Sequence, residues 1–246
     1  MDARIKIITP TYNCEKWVEK CITSVKSQSS ASWEQIFVDD GSTDKTMEIL
    51  TEQTKDDKRF KIVSKDQRMG VMHSHITGTE LLLREASADS IIMHLDGDDW
   101  LSSPYALERI VNAYDTSGCL ATYGNYEATD GSPSICREKY PELTIREHIK
   151  RQWCFSHIRT FKKLLWDKIL VGSLLDTNGI MFSSACDVAI FCPVLEMAGD
   201  RVTFIDNPMY TYNRENPLNE DKHHLEDQVR CALEIAQMPP YEVLDV

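Results

Sequence analysis

Short apolar runs alternate with amphipathic stretches through the first hundred residues. Four apolar runs are too short for helices and predict strands over 5–8, 35–38, 60–63 and 91–95. Apolar residues at helical spacing predict helices over 14–27, from about 44 onward, and over 71–86. Asn13 is a candidate N-cap for the first helix, and Ser42 or Thr43 for the second. This strict alternation predicts an α/β fold with a doubly wound, mostly parallel sheet.

The pattern is less regular after residue 115. It predicts helices near 105–114, 144–152, 160–168 and 187–198, and strands near 119–123, 202–205 and 209–212. A charged helix is expected from about residue 220 to residue 237. We expect one domain over 1–246, with halves at 1–115 and 116–219 and a C-terminal helix within 220–246.

Charge and hydropathy exclude several classes of protein. A formal net charge of −12 argues against broad binding to nucleic acid or to anionic membrane. The apolar runs are too short to cross a bilayer and the N-terminus lacks a signal-peptide pattern, so we expect no integral membrane segment and a cytoplasmic location. The eight cysteines are scattered without a CxxC pair, which favours free, buried thiols.

Two acidic loops follow predicted strands. Asp96, Asp98 and Asp99 place three carboxylates in four residues, and like charges this close favour a divalent cation between them. Oxygen ligands suit Mn²⁺ or Mg²⁺, which keep positions open for phosphates, so a nucleotide diphosphate is the natural second ligand. Gly97 allows the turn. An ordinary Asp-Gly turn also explains this loop taken alone.

The other acidic loop, VDDGSTD at 38–44, contains Asp39 and Asp40 and follows the second predicted strand. A helix cap would explain this loop alone. Both loops, however, lie where ligands of such sheets bind, beyond the carboxyl ends of the strands.

Three segments in this order, TPTYN at 9–13, VDDGSTD at 38–44 and LDGDD at 95–99, resemble family 2 glycosyltransferases of the GT-A fold. The resemblance is clear over about residues 4–115. It implies an inverting enzyme that takes a sugar from a nucleotide diphosphate sugar. Residues 1–115 would then form the nucleotide-sugar-binding half and 116–219 the acceptor-binding half.

The resemblance also implies roles for single residues. Pro10, Thr11 and Tyr12 would lie against the nucleotide base, Asp40 would hydrogen-bond it, and Asp39 would support the loop. Asp96 and Asp98 match the family's Asp-x-Asp element, one directed to the ribose and one to the metal. Asp99 is close enough to be the metal ligand instead.

One segment departs from the family pattern. The family has Gly-x-x-x-Ala-Arg-Asn-x-Gly where this chain has residues 70–78, so His75 stands at the Arg position and Ile76 at the Asn position. Nucleotide contacts there would come from His75, Arg68 or Lys65. A plain helix-surface position for His75 is the alternative.

The resemblance places the general base at the start of a helix some ninety residues after the Asp-x-Asp element. Asp187 fits, with Asp176 as the fallback, and Cys186 replaces a Glu that is common before the base. A simple N-terminal helix acid is the alternative for Asp187. Trp153 and His157 are candidates for the acceptor pocket, although core packing would also explain them.

The resulting prediction is a metal-assisted hexosyl- or pentosyltransferase that uses a nucleotide sugar, with UDP the expected nucleotide, and a glycan or other hydroxyl acceptor. A catalytically inactive nucleotide-sugar or glycan-binding module is the alternative. It is suggested by His75, Ile76 and Cys186 at positions that are usually polar or charged in the family.

Overall fold

One eight-stranded sheet organises the molecule, in the order β3-β2-β1-β4-β7-β6-β8-β5. The computed structural model describes residues 3–29 and 32–245. The strands are β1 Ile5–Thr11, β2 Trp33–Asp39, β3 Phe60–Ser64, β4 Ile91–His94, β5 Trp100–Leu101, β6 Ala121–Ala128, β7 Thr160–Lys162 and β8 Val202–Tyr212. The helices are α1 Val18–Lys26, α2 Thr46–Thr54, α3 Val71–Leu83, α4 Ala106–Ser117, α5 Ile145–Arg151, α6 Lys163–Trp166, α7 Cys186–Ala198, α8 Glu220–His223 and α9 Leu225–Ile235, with a 3-10 turn at Val171–Leu174.

The first four strands are parallel, as the alternating pattern predicts. In the register of β1 with its neighbours, Thr11 pairs with Asp39 and Ile8 pairs with His94. The carboxyl ends of β1, β2 and β4 therefore meet at one edge of the sheet, and the two acidic loops leave from that edge. The rest of the sheet is mixed, because β7 runs antiparallel to both β4 and β6 while β6 and β8 are parallel.

Both faces of β1, β2 and β4 are buried. Side chains alternate between the faces of a strand, so Ile36 and Val38 join one apolar core while Phe37 joins the other. In β4, Ile92 belongs to the first core and Ile91 to the second. This double burial explains why the strands form continuous apolar runs in the sequence.

The structure corrects the helix predicted over 160–168. Thr160, Phe161 and Lys162 instead form β7 and pair with β4, and only Lys163–Trp166 is helical. Thr160 and Phe161 are fully buried in the sheet, and strand pairing there outweighs the helical spacing of the sequence. The two strands predicted over 202–212 are one strand, β8, and the predicted helix over 220–237 is divided into α8 and α9.

Both predicted N-caps are wrong. Asn13 has a positive φ of 49°, and its side chain accepts a hydrogen bond from the Thr43 amide at 2.8 Å, whereas α1 begins only at Val18. The Ser42 hydroxyl donates to Asp39, and α2 begins at Thr46. Residues with capping chemistry therefore join the two loops that follow β1 and β2 instead of starting helices.

Two further expectations concern free, buried cysteines and the lack of a membrane-spanning segment. All eight cysteines are free, and seven of them are buried. Within residues 3–29 and 32–245, every helix is too short or too polar to cross a membrane.

Candidate functional site

A cavity of about 280 Å³ opens at the carboxyl edge of the parallel strands. It brings together most of the residues that the sequence singles out. The predicted residues that line it are Pro10, Thr11, Tyr12, Asp40, His75, Asp96, Gly97, Asp98, Asp99, His157 and Asp187. Arg68, Arg159, Cys186, Asn216 and Gln228 also contribute to its walls.

Asp99 is the most buried carboxylate of the acidic loop that follows β4. It is 1% exposed, and its oxygens accept hydrogen bonds from the Tyr210 hydroxyl at 2.5 Å and from the Asn213 amide at 2.7 Å. Burial, together with the charges of Asp98 and Asp96, raises the pKa of Asp99 well above its usual value. The loop therefore carries an electrostatic cost that a bound cation would remove.

Asp98 points to a different partner. Its Oδ2 accepts a hydrogen bond from the side-chain amide of Asn216 at 2.7 Å, and burial raises its pKa. Asn219 in turn donates to the carbonyl of Asn213 at 2.7 Å. The segment after β8 thus folds against the acidic loop and fixes two of its three carboxylates.

Asp96, Asp99 and His157 form a group that fits a divalent cation. Each offers one ligand atom, and these atoms lie within 4.8 Å of one another. His157 is stacked on Tyr210 with ring centroids 4.4 Å apart, and burial and the nearby Arg159 lower its pKa well below the usual value. The ring is therefore neutral and has a lone pair for a metal, while the two carboxylates supply hard oxygen ligands.

Gly97 is required by a close approach of two loops. Its amide donates to the Pro10 carbonyl at 3.0 Å. A Cβ at this position would lie 2.4 Å from Cγ2 of Thr11 and 2.9 Å from that same carbonyl oxygen. The end of β1 and the acidic loop can therefore touch only because this residue has no side chain.

The two aspartates after β2 have distinct surroundings. Asp39 accepts hydrogen bonds from the amide and the hydroxyl of Ser42, and it lies outside the cavity lining. Asp40 lines the cavity, but its carboxylate accepts from Lys65 at 3.0 Å and from the amides of Met69 and Gly70 at 2.9 and 2.7 Å. In this structure Asp40 therefore fixes the segment that leads into α3.

One wall of the cavity combines an aromatic face with a cation. The guanidinium of Arg68 lies over the ring of Tyr12, 4.2 Å from its centroid. A flat surface of this kind, beside the end of β1, is suited to a planar ring such as a nucleotide base.

His75 lies deeper in the cavity wall and is not a helix-surface residue. It is 5% exposed and stacks on His94 with ring centroids 4.3 Å apart. Burial lowers the pKa of His75 to about 3, so the ring is neutral at physiological pH. Among the described residues, its Nδ1 has no hydrogen-bond partner.

Asp187 stands in the first turn of α7, far from the acidic loop in sequence but on the same cavity. Its Oδ2 accepts a hydrogen bond from Nη1 of Arg159 at 2.8 Å. Nη2 of Arg159 lies 3.3 Å from Nε2 of His157. The side chain of Asp187 is 31% exposed, so it remains accessible from the cavity while Arg159 is buried.

Two sequence candidates lie away from the cavity lining. Trp153 packs against Phe155 at 5.1 Å and belongs to the surroundings of the apolar core, which is the packing alternative considered for it. Asp176 forms an exposed turn in which it accepts from the amides of Asn178 and Ile180. Trp153 therefore does not line the cavity. Asp187 does line it, so the geometry favours Asp187 over Asp176 as the candidate base.

The comparison with protein families decides the identity of the fold. The model of the family "Glycosyl transferase family 2" matches residues 6–187. The chain belongs to glycosyltransferase family 2. The assignment made from the three sequence segments is thereby confirmed, and it extends well beyond residue 115, where the sequence resemblance is thin.

Curated relatives of this family 2 chain include bacterial glycosyltransferases. It is 26% identical over 232 residues to the glycosyltransferase GlyG of Streptococcus pneumoniae serotype 4, covering 88% of this chain and 72% of that protein. It is 28% identical over 225 residues to the uncharacterised glycosyltransferase EpsJ of Bacillus subtilis, covering 87% of this chain and 61% of that protein. The chain thus spans about two thirds of the length of these relatives.

Solved structures of similar shape support the GT-A fold. S. aureus TarS 1–349 in complex with UDP-GlcNAc superposes with a TM-score of 0.67 at 18% identity, over 93% of this chain and 64% of that one. Glucosyl-3-phosphoglycerate synthase from Mycobacterium tuberculosis, in complex with Mn²⁺, UDP and glucosyl-3-phosphoglycerate, gives 0.62 at 17% identity, over 96% and 81%. The predicted fold class is confirmed.

Sequence reasoning missed several residues of this family 2 site. Tyr210, Asn213 and Asn216 hold the acidic loop from more than a hundred residues away, and the only available signal was their place in or just after a predicted strand. Arg159 was also missed: residues 157 and 158 form a bend, not a strand, so no periodic pattern in the sequence places its side chain beside His157.

Proposed function

We propose that the chain is an inverting glycosyltransferase that moves a sugar from a nucleotide diphosphate sugar, a UDP-sugar in the first instance, to a hydroxyl group of a glycan or similar acceptor. The observation that carries this proposal is the shared cavity. It is lined by the group of Asp96, Asp99 and His157 and also by the half-buried carboxylate of Asp187.

The proposed cation is Mn²⁺ or Mg²⁺, held by Asp96, Asp99 and Nε2 of His157. When bound, such a cation neutralises the diphosphate as the sugar leaves. Asp98 lies beside this group, and Asn216 orients its carboxylate, so we assign it to the ribose of the donor. His157 thus moves from the acceptor pocket, where the sequence suggested it, to the metal group.

Asp187 is the proposed general base. Its carboxylate takes the proton of the acceptor hydroxyl as that oxygen forms the new bond to the anomeric carbon and the bond from this carbon to the diphosphate breaks. The ion pair with Arg159, at 2.8 Å, fixes the direction of this carboxylate in the cavity.

The nucleotide is proposed to bind beside the ends of β1 and β2. The surface of Tyr12 and Arg68 would stack on the base, with Pro10, Thr11 and Asp40 around it. UDP is favoured because two structural neighbours of the same fold bind UDP or UDP-GlcNAc. The neutral ring of His75 would offer hydrogen bonds to the nucleotide in place of the Arg that is common in the family.

The two halves of the chain are proposed to divide the work. Residues 1–115 would bind the donor and 116–219 the acceptor, with α9 contributing through Gln228, which lines the cavity. The segment 213–219 belongs to both tasks, because it contacts the acidic loop through Asn213 and Asn216.

A thermal-shift panel tests this proposal. UDP, GDP, dTDP and CMP are compared, each with and without Mn²⁺. A ligand at about a hundred times its dissociation constant adds on the order of 2.7 kcal/mol of stability, and we expect this with UDP only when Mn²⁺ is present. The variant Asp99→Asn should lose the metal-dependent part of the shift. If none of the four nucleotides stabilises the protein in a metal-dependent way, the donor-site assignment is wrong.

A further inference from the structure

Arg159 is a buried guanidinium that joins two groups with different proposed tasks. Its Nη1 donates to Oδ2 of Asp187 at 2.8 Å, and its Nη2 donates to Nε2 of His157 at 3.3 Å. Only 7% of its side chain is exposed. Among the described residues, Arg159 is the one hydrogen-bond partner of the Asp187 carboxylate.

The contacts of Arg159 fix the protonation of the His157 ring. A guanidinium has donors but no acceptor, so Nε2 of His157 must accept this hydrogen bond through its lone pair. The single proton of the neutral ring therefore sits on Nδ1. That atom lies 3.0 Å from the hydroxyl oxygen of Ser156, which accepts from it.

Nε2 of His157 has a second neighbour. It lies 3.9 Å from Oδ2 of Asp96 and is the ring nitrogen that faces the proposed metal group. A ring nitrogen has one lone pair in the plane of the ring. That lone pair can bind a metal or accept from Arg159, but it cannot do both.

We propose that Arg159 couples the metal group to the base: a cation that binds Nε2 of His157 displaces Nη2 of Arg159 and leaves the guanidinium held by Asp187. This inference rests on the proposed function for the roles of the cation and of Asp187. Arg159 is thus a positioning residue for the base. It supplies a contact to Asp187, while the thiol of Cys186 donates to the Phe182 carbonyl at 3.3 Å.

The coupling predicts how the affinity for the metal changes when Arg159 is lost. In the absence of donor, a cation must compete with the N–H group of Arg159 for His157. Loss of Arg159 should therefore tighten metal binding, whereas loss of a merely structural residue would weaken it. Removing the positive charge of Arg159 also tightens cation binding by simple electrostatics. This charge effect has to be separated from the competition for the lone pair of His157.

A double-mutant cycle makes that separation. The dissociation constant of Mn²⁺ is measured by electron paramagnetic resonance of the free ion, on the full chain without donor. The four proteins are the unmodified chain, Arg159→Met, His157→Phe and the double variant. His157→Phe keeps a ring against Tyr210 but has no lone pair, so the charge effect persists in it while the competition disappears.

We expect Arg159→Met to tighten Mn²⁺ binding more in the unmodified chain than in the His157→Phe variant, by a further factor on the order of 2–10, the range of one hydrogen bond. Equal factors in both backgrounds would overturn the coupling. If the unmodified chain binds Mn²⁺ and the cycle is additive, the proposed function survives and only this inference fails. If it binds no Mn²⁺ with or without UDP, both fail.

A second measurement covers the case in which Arg159→Met does not fold. Nitrogen-15 NMR of the histidine rings in the unmodified chain reports which ring nitrogen carries the proton. We expect the Nδ1–H form of His157 without metal, and a shift of the Nε2 resonance when a diamagnetic divalent cation such as Mg²⁺ is added. A ring protonated on Nε2 in the metal-free protein would contradict the proposal, because Arg159 could not then donate to that atom.

Discussion

The hydroxyl of Tyr210 lies 2.5 Å from Oδ2 of Asp99, although 111 residues separate them in the chain. Burial and the charges of Asp99 and Asp96 raise the pKa of Tyr210 well above its usual value, so the hydroxyl stays protonated and donates. The far end of β8 thus supports the acidic loop that follows β4. The candidate metal group depends on this contact between the two halves of the chain.

Tyr210→Phe should destabilise the protein and weaken metal binding. The change removes a hydrogen bond from a carboxylate that is 1% exposed, which costs about 1–3 kcal/mol. Chemical denaturation measures the free energy of unfolding, and titration with Mn²⁺ measures the affinity. Tyr105→Phe is the matched control. Tyr105 is 54% exposed, so its substitution should change the free energy of unfolding by less than about 0.5 kcal/mol. Equal effects of the two variants would contradict this account.

Gly97→Ala should separate the acidic loop from the end of β1. Its Cβ would meet Cγ2 of Thr11 at 2.4 Å and the backbone of Pro10 at 2.9 Å, and overpacking of this kind costs about 1–3 kcal/mol. We expect a lower midpoint of denaturation and weaker binding of Mn²⁺ with UDP. In the control Gly172→Ala, the added Cβ has no heavy atom within 4 Å. Unchanged stability and nucleotide binding in Gly97→Ala would show that this contact is dispensable.

Acid should destabilise the protein through its buried histidines. His75 has its pKa lowered from 6.5 to about 3 by burial, so below about pH 6.5 the unfolded chain binds a proton there that the folded protein does not. Stability therefore rises with pH between the two values. The share of His75 is about 1.4 kcal/mol lost between about pH 7.5 and about pH 5.5.

The variant His75→Phe tests that share, because it keeps a ring against His94 and cannot titrate. Asp98 and Asp99 have raised pKa values, so their protonation stabilises the folded protein as the pH falls, which is opposite to the effect of His75. The test therefore compares the pH dependence of stability in the variant with that in the unmodified chain. Denaturation at several pH values should give a smaller pH dependence for His75→Phe. The exposed control His224→Gln should show the same pH dependence of stability as the unmodified chain. The same pH dependence in His75→Phe would contradict the role given to the buried ring.

The parallel half of the fold was predictable because its signals are local. Each of β1 to β4 is a short apolar run between amphipathic stretches. Strands that alternate with helices in this way can be connected in only a few sheet topologies. Asp96, Asp98 and Asp99 were found for the same reason, since their positions follow from the end of one strand. The departures concern long-range pairing: the spacing of Thr160–Lys162 favours a helix, but the segment pairs with Ile91–Met93 in the sheet.

The composition of the candidate metal group was not predictable from the acidic loop alone. Asp98 turns to Asn216, and His157 takes its place in the group with Asp96 and Asp99. That exchange depends on the packing of the segment after β8 and on the stacking of His157 against Tyr210. Neither relationship leaves a periodic pattern in the sequence.

The central claim is that Asp187 acts as the base that takes the proton of the acceptor hydroxyl while the donor is bound at the candidate metal group. The most direct measurement compares UDP release from a panel of UDP-sugars and hydroxyl acceptors, with Mn²⁺, for the unmodified chain, Asp187→Asn and the control Asp176→Asn. We predict a loss of turnover of about 10²–10⁴-fold in Asp187→Asn, with UDP affinity within about threefold of the original, and near-normal turnover in the control. Turnover of Asp187→Asn within about twofold of the unmodified chain would contradict the claim, and metal-dependent binding of UDP-sugars without turnover in any of the three proteins would favour a binding module instead.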